Sequence, residues 1–223
     1  MNDYIDLYCE RTIVGLWSEP LNAVSNLAFL IASWAIWRLA QRQPKIHTGI
    51  WVLIALAASI GIGSFLFHTF ATKWASFLDT LPILLFQLCF IWLYSQKIVR
   101  MKYRYSGALL GGFFFASNFS KQFTDILNGS LSYAPAFLVL LGFAIYHYRQ
   151  QKREPFILLI ALGCFLLALL FRTLDQVICP YFSIGTHFLW HLSNGILLYL
   201  SARALILNWS IRAKSGQESE PLF

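Results

Sequence analysis

Seven stretches of roughly 20 predominantly apolar residues, each long enough to cross a hydrocarbon layer about 30 Å thick, constrain this chain most. They lie near residues 20–40, 49–70, 76–96, 104–121, 131–148, 155–174 and 183–207. The fourth is the least apolar, because Asn118, Ser120 and Lys121 crowd its end. Short connections predict one antiparallel bundle: an all-α, polytopic seven-helix membrane protein. The expected single domain covers 1–213, with an N-terminal arm over 1–18 and a polar tail over 214–223. No secretory leader is expected, since the first twenty residues are acidic and lack a basic stretch before an apolar core. Only 12% of the 223 residues are charged and 58% are hydrophobic, whereas a soluble domain carries about a quarter charged residues.

The net charge of +7 resolves by position. Arg38, Arg42 and Lys45 follow the first segment; Lys97, Arg100, Lys102 and Arg104 follow the third. Arg149, Lys152 and Arg153 follow the fifth, and Arg203, Arg212 and Lys214 close the seventh, which puts 13 of the 17 basic residues on one side. The other side holds Arg11, Lys73, Lys121 and Arg172 with the acids Asp3, Asp6, Glu10, Glu19, Asp79, Asp125 and Asp175. The positive-inside rule then predicts an outside N-terminus and a cytoplasmic C-terminus. The excess is a topology record and gives no support to nucleic-acid binding. No obligate protein partner is expected; the bilayer itself is the partner.

Ionisable groups at membrane depth are costly unless paired or solvated, which makes them functional by default. Ser64 and His68 are four apart on the second segment, as are His187 and His191 on the seventh; Asp79 opens the third. The alternating direction of the segments brings all five to one depth on the non-cytoplasmic side. Three imidazoles with one open position suit a catalytic Zn²⁺, which lowers the pKa of a bound water and polarises a carbonyl. Asp79 would then accept the water proton, and Ser64 would donate to the developing oxyanion. Haem ligation and a proton relay stay open on spacing alone. His47 and His147 fall at the opposite end. On the first segment Glu19, Asn22 and Asn26 share a face, and with Glu10 and Asp6 they offer hard oxygen ligands suited to Ca²⁺. Glu19 and Asn22 could equally start and cap the helix around Pro20. Cys9 and Cys179 both fall outside, where a disulfide between them is allowed; Cys89 and Cys164 lie within segments as packing residues.

Four stretches taken in order resemble the alkaline ceramidase family, within a wider group of seven-span membrane hydrolases. They are Cys9-Glu10; Glu19-Pro20-Leu21-Asn22-Ala23-Val24-Ser25-Asn26; Gly61 to His68 with Asp79 eleven residues on; and Leu174-Asp175 through Cys179 to His187-Phe188-Leu189-Trp190-His191. The resemblance implies a zinc held by His68, His187 and His191, with Asp79 and Ser64 assisting. It implies a disulfide between Cys9 and Cys179, and a calcium ion near the arm onto which Glu10 and Glu19 map. The sequence departs from the family there: Leu7 and Thr12 stand where polar ligands are expected, and Asp6 is one position off. The implied reaction is hydrolysis of the amide of a ceramide-like N-acyl sphingoid lipid to a fatty acid and a sphingoid base. The active site would face the periplasm in a bacterium, or the lumen of the ER or Golgi in a eukaryote. The alternatives are a hydrolase of another acyl lipid and a progestin and adipoQ receptor-like or haemolysin III-like protein with a zinc site. That receptor type has a cytoplasmic N-terminus, opposite to the one the charges predict here.

Overall fold

The computed structural model describes residues 4–123 and 126–215, with side chains to residue 209. Asp3, Asp125 and residues 216–223 of the expected tail lie outside the described residues. The described chain is helical: α1 (Pro20–Ser25), α2 (Leu27–Ala40), α3 (Thr48–Phe70), α4 (Lys73–Tyr94), α5 (Tyr103–Ser120), α6 (Ala134–Arg149), α7 (Ile157–Ile178) and α8 (His187–Ser215). A π turn, Ser95–Val99, prolongs α4, and a 3₁₀ stretch, Ile126–Tyr133, leads into α6. α1 and α2 join at Asn26 in helical conformation and form one span.

Among the described residues, five helical stretches are long and apolar enough to cross a membrane: Pro20–Ala40, Thr48–Phe70, Lys73–Val99, Ile126–Arg149 and Ile157–Ile178. The other two expected segments are helices that fall short on composition. α5 has 18 residues, with Arg104 near its start and Asn118 near its end. α8 carries His187, His191, Asn194 and Arg203 along its length. What lowers the apolarity of α8 is therefore the polar set that makes it interesting.

α3 packs along α4 and α7 along α8, while α2 bridges α3 and α8; α5 lies at the edge against α4 and α6. One core runs through the bundle, with Ile36, Leu53, Ile60, Tyr94, Leu158 and Leu205 at its driest positions. Outward, Ile31, Trp34, Phe115, Leu138 and Leu167 are exposed. Apolar side chains displayed on every side are tolerated by lipid and not by water.

Close approach of α3 and α4 is arranged by two residues. Pro82 inside α4 has no N–H to give the carbonyl of Leu78. That carbonyl instead lies against Gly63 of α3, where a Cβ would collide with the Leu78 backbone and come within 3.2 Å of the Asp79 nitrogen. Gly63 thereby sets how near the turn bearing Asp79 comes to the helix bearing Ser64 and His68. Gly63→Ala is expected to lower stability by about 1–3 kcal/mol through this clash, read as a lower thermal midpoint in detergent. It should lower activity more than Gly107→Ala, whose Cβ meets nothing within 4 Å.

Candidate functional site

The arm crosses one end of the bundle. Tyr4 bridges to Thr72, and the Ile5 amide donates to the Ala71 carbonyl at 2.7 Å. The expected disulfide is present, with the Cys9 and Cys179 Cα atoms 5.4 Å apart across 170 residues of sequence. Beside it the Asp175 carboxylate is fully buried. Oδ2 accepts from the Cys9 amide at 3.0 Å, and Oδ1 accepts from the amides of Thr186 at 2.7 Å and His187 at 2.9 Å. One carboxylate thus caps α8 at the residue that presents His187 and ties that cap to the arm. Gly185 permits it: φ is +68° there, and a Cβ would run into the Asp175 carboxylate.

Under the arm His68, His187 and His191 converge, all buried, with one ring nitrogen from each lying within 4.8 Å of the others. His68 comes from the last turn of α3, and His187 and His191 from the first turns of α8. His68 Nδ1 donates to Glu19 Oε2 at 2.5 Å, since a carboxylate offers no proton. Burial alone would raise the Glu19 carboxyl, but its bonds to His68 and Arg11 outweigh that and hold it below its usual range. His191 Nδ1 lies 2.7 Å from Ser25 Oγ, whose own proton goes to the Asn22 carbonyl at 2.9 Å. The His191 Nδ1 therefore carries the hydrogen as well. Both Nδ1 positions being protonated, the Nε2 atoms of His68 and His191 face each other as acceptors 3.2 Å apart.

Two lone pairs buried face to face need positive charge between them. A shared proton would serve that pair but leave out His187, whose Nδ1 is buried without a hydrogen-bond partner. A metal ion uses all three rings. Two ligand nitrogens on a tetrahedral zinc lie about 3.4 Å apart, close to the separation seen. The nitrogen donors and the carboxylate and hydroxyl behind them fit a zinc site with its outer shell in place.

Ser64 is buried and its hydroxyl bonds the Asp79 carboxylate, which lies within electrostatic reach of His68 and Arg172. His47 and His147 are elsewhere, stacked on Trp209 and bonded to Tyr94 respectively, as expected. Of the oxygen residues, Glu10, Glu19 and Asn22 come together and Asp6 does not; it is exposed. Glu10 accepts from the Leu21 and Asn22 amides at 2.7 and 2.8 Å, capping α1.

Sequence reading missed three residues. Tyr8 stacks on His187 with ring centroids 3.7 Å apart. Arg172 donates to the Tyr8 hydroxyl at 3.0 Å and lies 5.6–5.8 Å from the rings of Tyr8, Tyr133 and Trp190. Arg11 is treated further below. An apolar cavity lies near the histidines, lined by Phe29, Phe86, Phe90, Phe165 and Trp190 with Gln87, Asn194 and Ser201 among its polar members. Phe29 meets the His191 ring edge-on at 5.9 Å, so one wall residue of the cavity also touches the cluster.

Fold and site together define a class: a helical membrane protein with a buried three-histidine cluster at one end of its bundle and an apolar cavity beneath it. The Ceramidase family model matches residues 5–221, and the chain belongs to that family. No match is found among curated proteins. Asp175→Ala should cost about 2–4 kcal/mol, because it orphans the buried amides of Cys9 and His187 and the half-buried amide of Thr186. Thermal unfolding in detergent reads this, and Asp175→Asn, which keeps acceptors at one oxygen, should lose less.

Proposed function

We propose that this chain is a zinc-dependent intramembrane amidase that hydrolyses ceramide-like N-acyl sphingoid lipids to a fatty acid and a sphingoid base. Membership of the ceramidase family supports ceramide hydrolysis in general. The observation that carries the metal is the approach of the His68 and His191 Nε2 atoms to 3.2 Å beside His187. His68, His187 and His191 would hold the ion, which supplies a Lewis acid and an activated water.

The remaining work falls to the chain's own groups. Glu19 and Ser25 keep the Nδ1 hydrogens of His68 and His191 in place and so aim both Nε2 atoms inward. Asp79 is the proton carrier. It takes the proton of the attacking water as the C–O bond forms, and returns it to the amine nitrogen as the C–N bond breaks. The Ser64 hydroxyl is committed to Asp79, so its role is to orient that carboxylate; on sequence alone it read as an oxyanion donor. The aromatic cavity takes a lipid chain out of the bilayer and excludes water from the apolar side. The concentration of basic residues at the opposite helix ends supports a site facing the non-cytoplasmic side, with seven spans and one domain.

Metal analysis of the purified chain, paired with fatty-acid release from labelled ceramide, tests this reading. About one zinc per chain is expected. His68→Ala should lose both zinc and turnover. Asp79→Asn should keep zinc and lose about 10²–10⁴-fold in kcat. A folded preparation free of zinc would refute the mechanism, and zinc without amide cleavage would move the substrate to another acyl lipid.

A further inference from the structure

The oxygen ligands expected to hold calcium are gathered at the junction of arm and bundle, but a different cation is already among them. Arg11 is buried there, its side chain fully covered. Its Nε donates to Glu19 Oε1 at 2.5 Å and its Nη2 to the His68 carbonyl at 2.8 Å. Its Nη1 reaches the Gly15 carbonyl at 3.2 Å and the Tyr4 hydroxyl at 3.4 Å. Glu19 Oε2 is taken by His68 Nδ1 and by Asn22 Nδ2 at 3.0 Å. Both oxygens of Glu10 are taken by backbone amides of α1.

Calcium needs six to eight oxygens, with carboxylates among them. Here every oxygen of the two gathered carboxylates accepts from a protein donor, Asp6 is exposed, and Leu7 and Thr12 are exposed at the departures from the family pattern. The acceptors of this face left without partners, Asn22 Oδ1 and Asn26 Oδ1, are neutral. A divalent ion would also sit against a guanidinium that cannot lose its charge. The residues present do not fit calcium.

We infer that Arg11 is the built-in cation of this junction, a positioning residue that holds Glu19 on His68 and makes the protein independent of calcium. The guanidinium fork suits two tasks at once. It neutralises Glu19, which then serves as the acceptor behind His68, and it fastens the backbone of His68 itself to the arm. The arm is thereby wired to the cluster by a charge the sequence encodes, with the Cys9–Cys179 bond holding it in register two residues away. The effect on His68 rests on the zinc reading; independence from calcium does not.

The test uses the full chain, zinc-loaded in detergent and dialysed against calcium-free buffer. Calcium at about 1 mM, enough for weak extracellular-type sites, should leave the thermal midpoint unchanged, and calcium analysis should find none bound. A raised midpoint, or a stoichiometric calcium, would overturn the inference without any variant being made. Arg11→Ala should weaken zinc binding about 10–100-fold in competition with a chelating dye, and Arg11→Lys should recover part of it by restoring charge without the fork. Wild-type zinc affinity in Arg11→Ala would overturn the positioning role. A wild-type protein that binds no zinc would instead refute the metal reading and leave the calcium result standing.

Discussion

The Glu19 carboxylate is the joint on which this end of the protein turns. It is 2% exposed and sits one residue before Pro20 starts the first span. One oxygen receives Arg11 from the arm and the other receives His68 from the end of α3. Leaving a buried carboxylate unpaired costs several kcal/mol, so once this residue is placed, arm, first span and second span are placed with it. The neighbouring carboxylates extend the same logic: Glu10 caps α1, and Asp175 caps α8 and catches the arm at Cys9. Glu19 and Asp175 join segments distant in sequence and bond residues of the histidine cluster, while Glu10 ties the arm to the start of the first span.

Such concentration of polar groups follows from the solvent. Within hydrocarbon a helix satisfies its own backbone, and its apolar surface needs nothing more specific than packing. At the helix ends the free amides and carbonyls must find partners. A site built there can share donors and acceptors with the caps. The His187 amide is bonded by a capping carboxylate while the His187 ring joins the cluster, so one residue serves the end of α8 and the chemistry together. The depth also suits the proposed substrate, because a lipid amide lies just below the headgroups while its chains extend along the bundle.

The sequence was informative where the physics is local. Apolar length located most helix ends within about four residues, although α8 runs on to Ser215, past the expected 207, and the i, i+4 spacing of His187 and His191 with the expected alternation of spans put three histidines at one end. A bond between Cys9 and Cys179 was allowed by their expected common side and implied by the resemblance, and the structure bears it out. What stayed hidden depends on the path of the arm. Nothing local marks Tyr8 as a stacking partner of His187, or Arg11 as a partner of residues 8 and 57 positions away. Arg172 read as one more charge on the sparse side, yet its surroundings are three aromatic rings. A signal for it was present: a cation within the last two turns of a strongly apolar helix has to be paid for by something nearby.

The arm also explains why the composition rule and the helix count diverge. α8 falls short as a membrane span by apolarity because His187, His191 and Asn194 occupy its first turns, yet those side chains face the bundle and are buried. A rule that scores residues by type treats them as exposed to lipid. In the fold they are shielded by Tyr8, Glu19, Ser25 and the disulfide-bound arm, so their cost in lipid does not arise. The polar residues that disqualify the helix by composition are those for which the rest of this end is built.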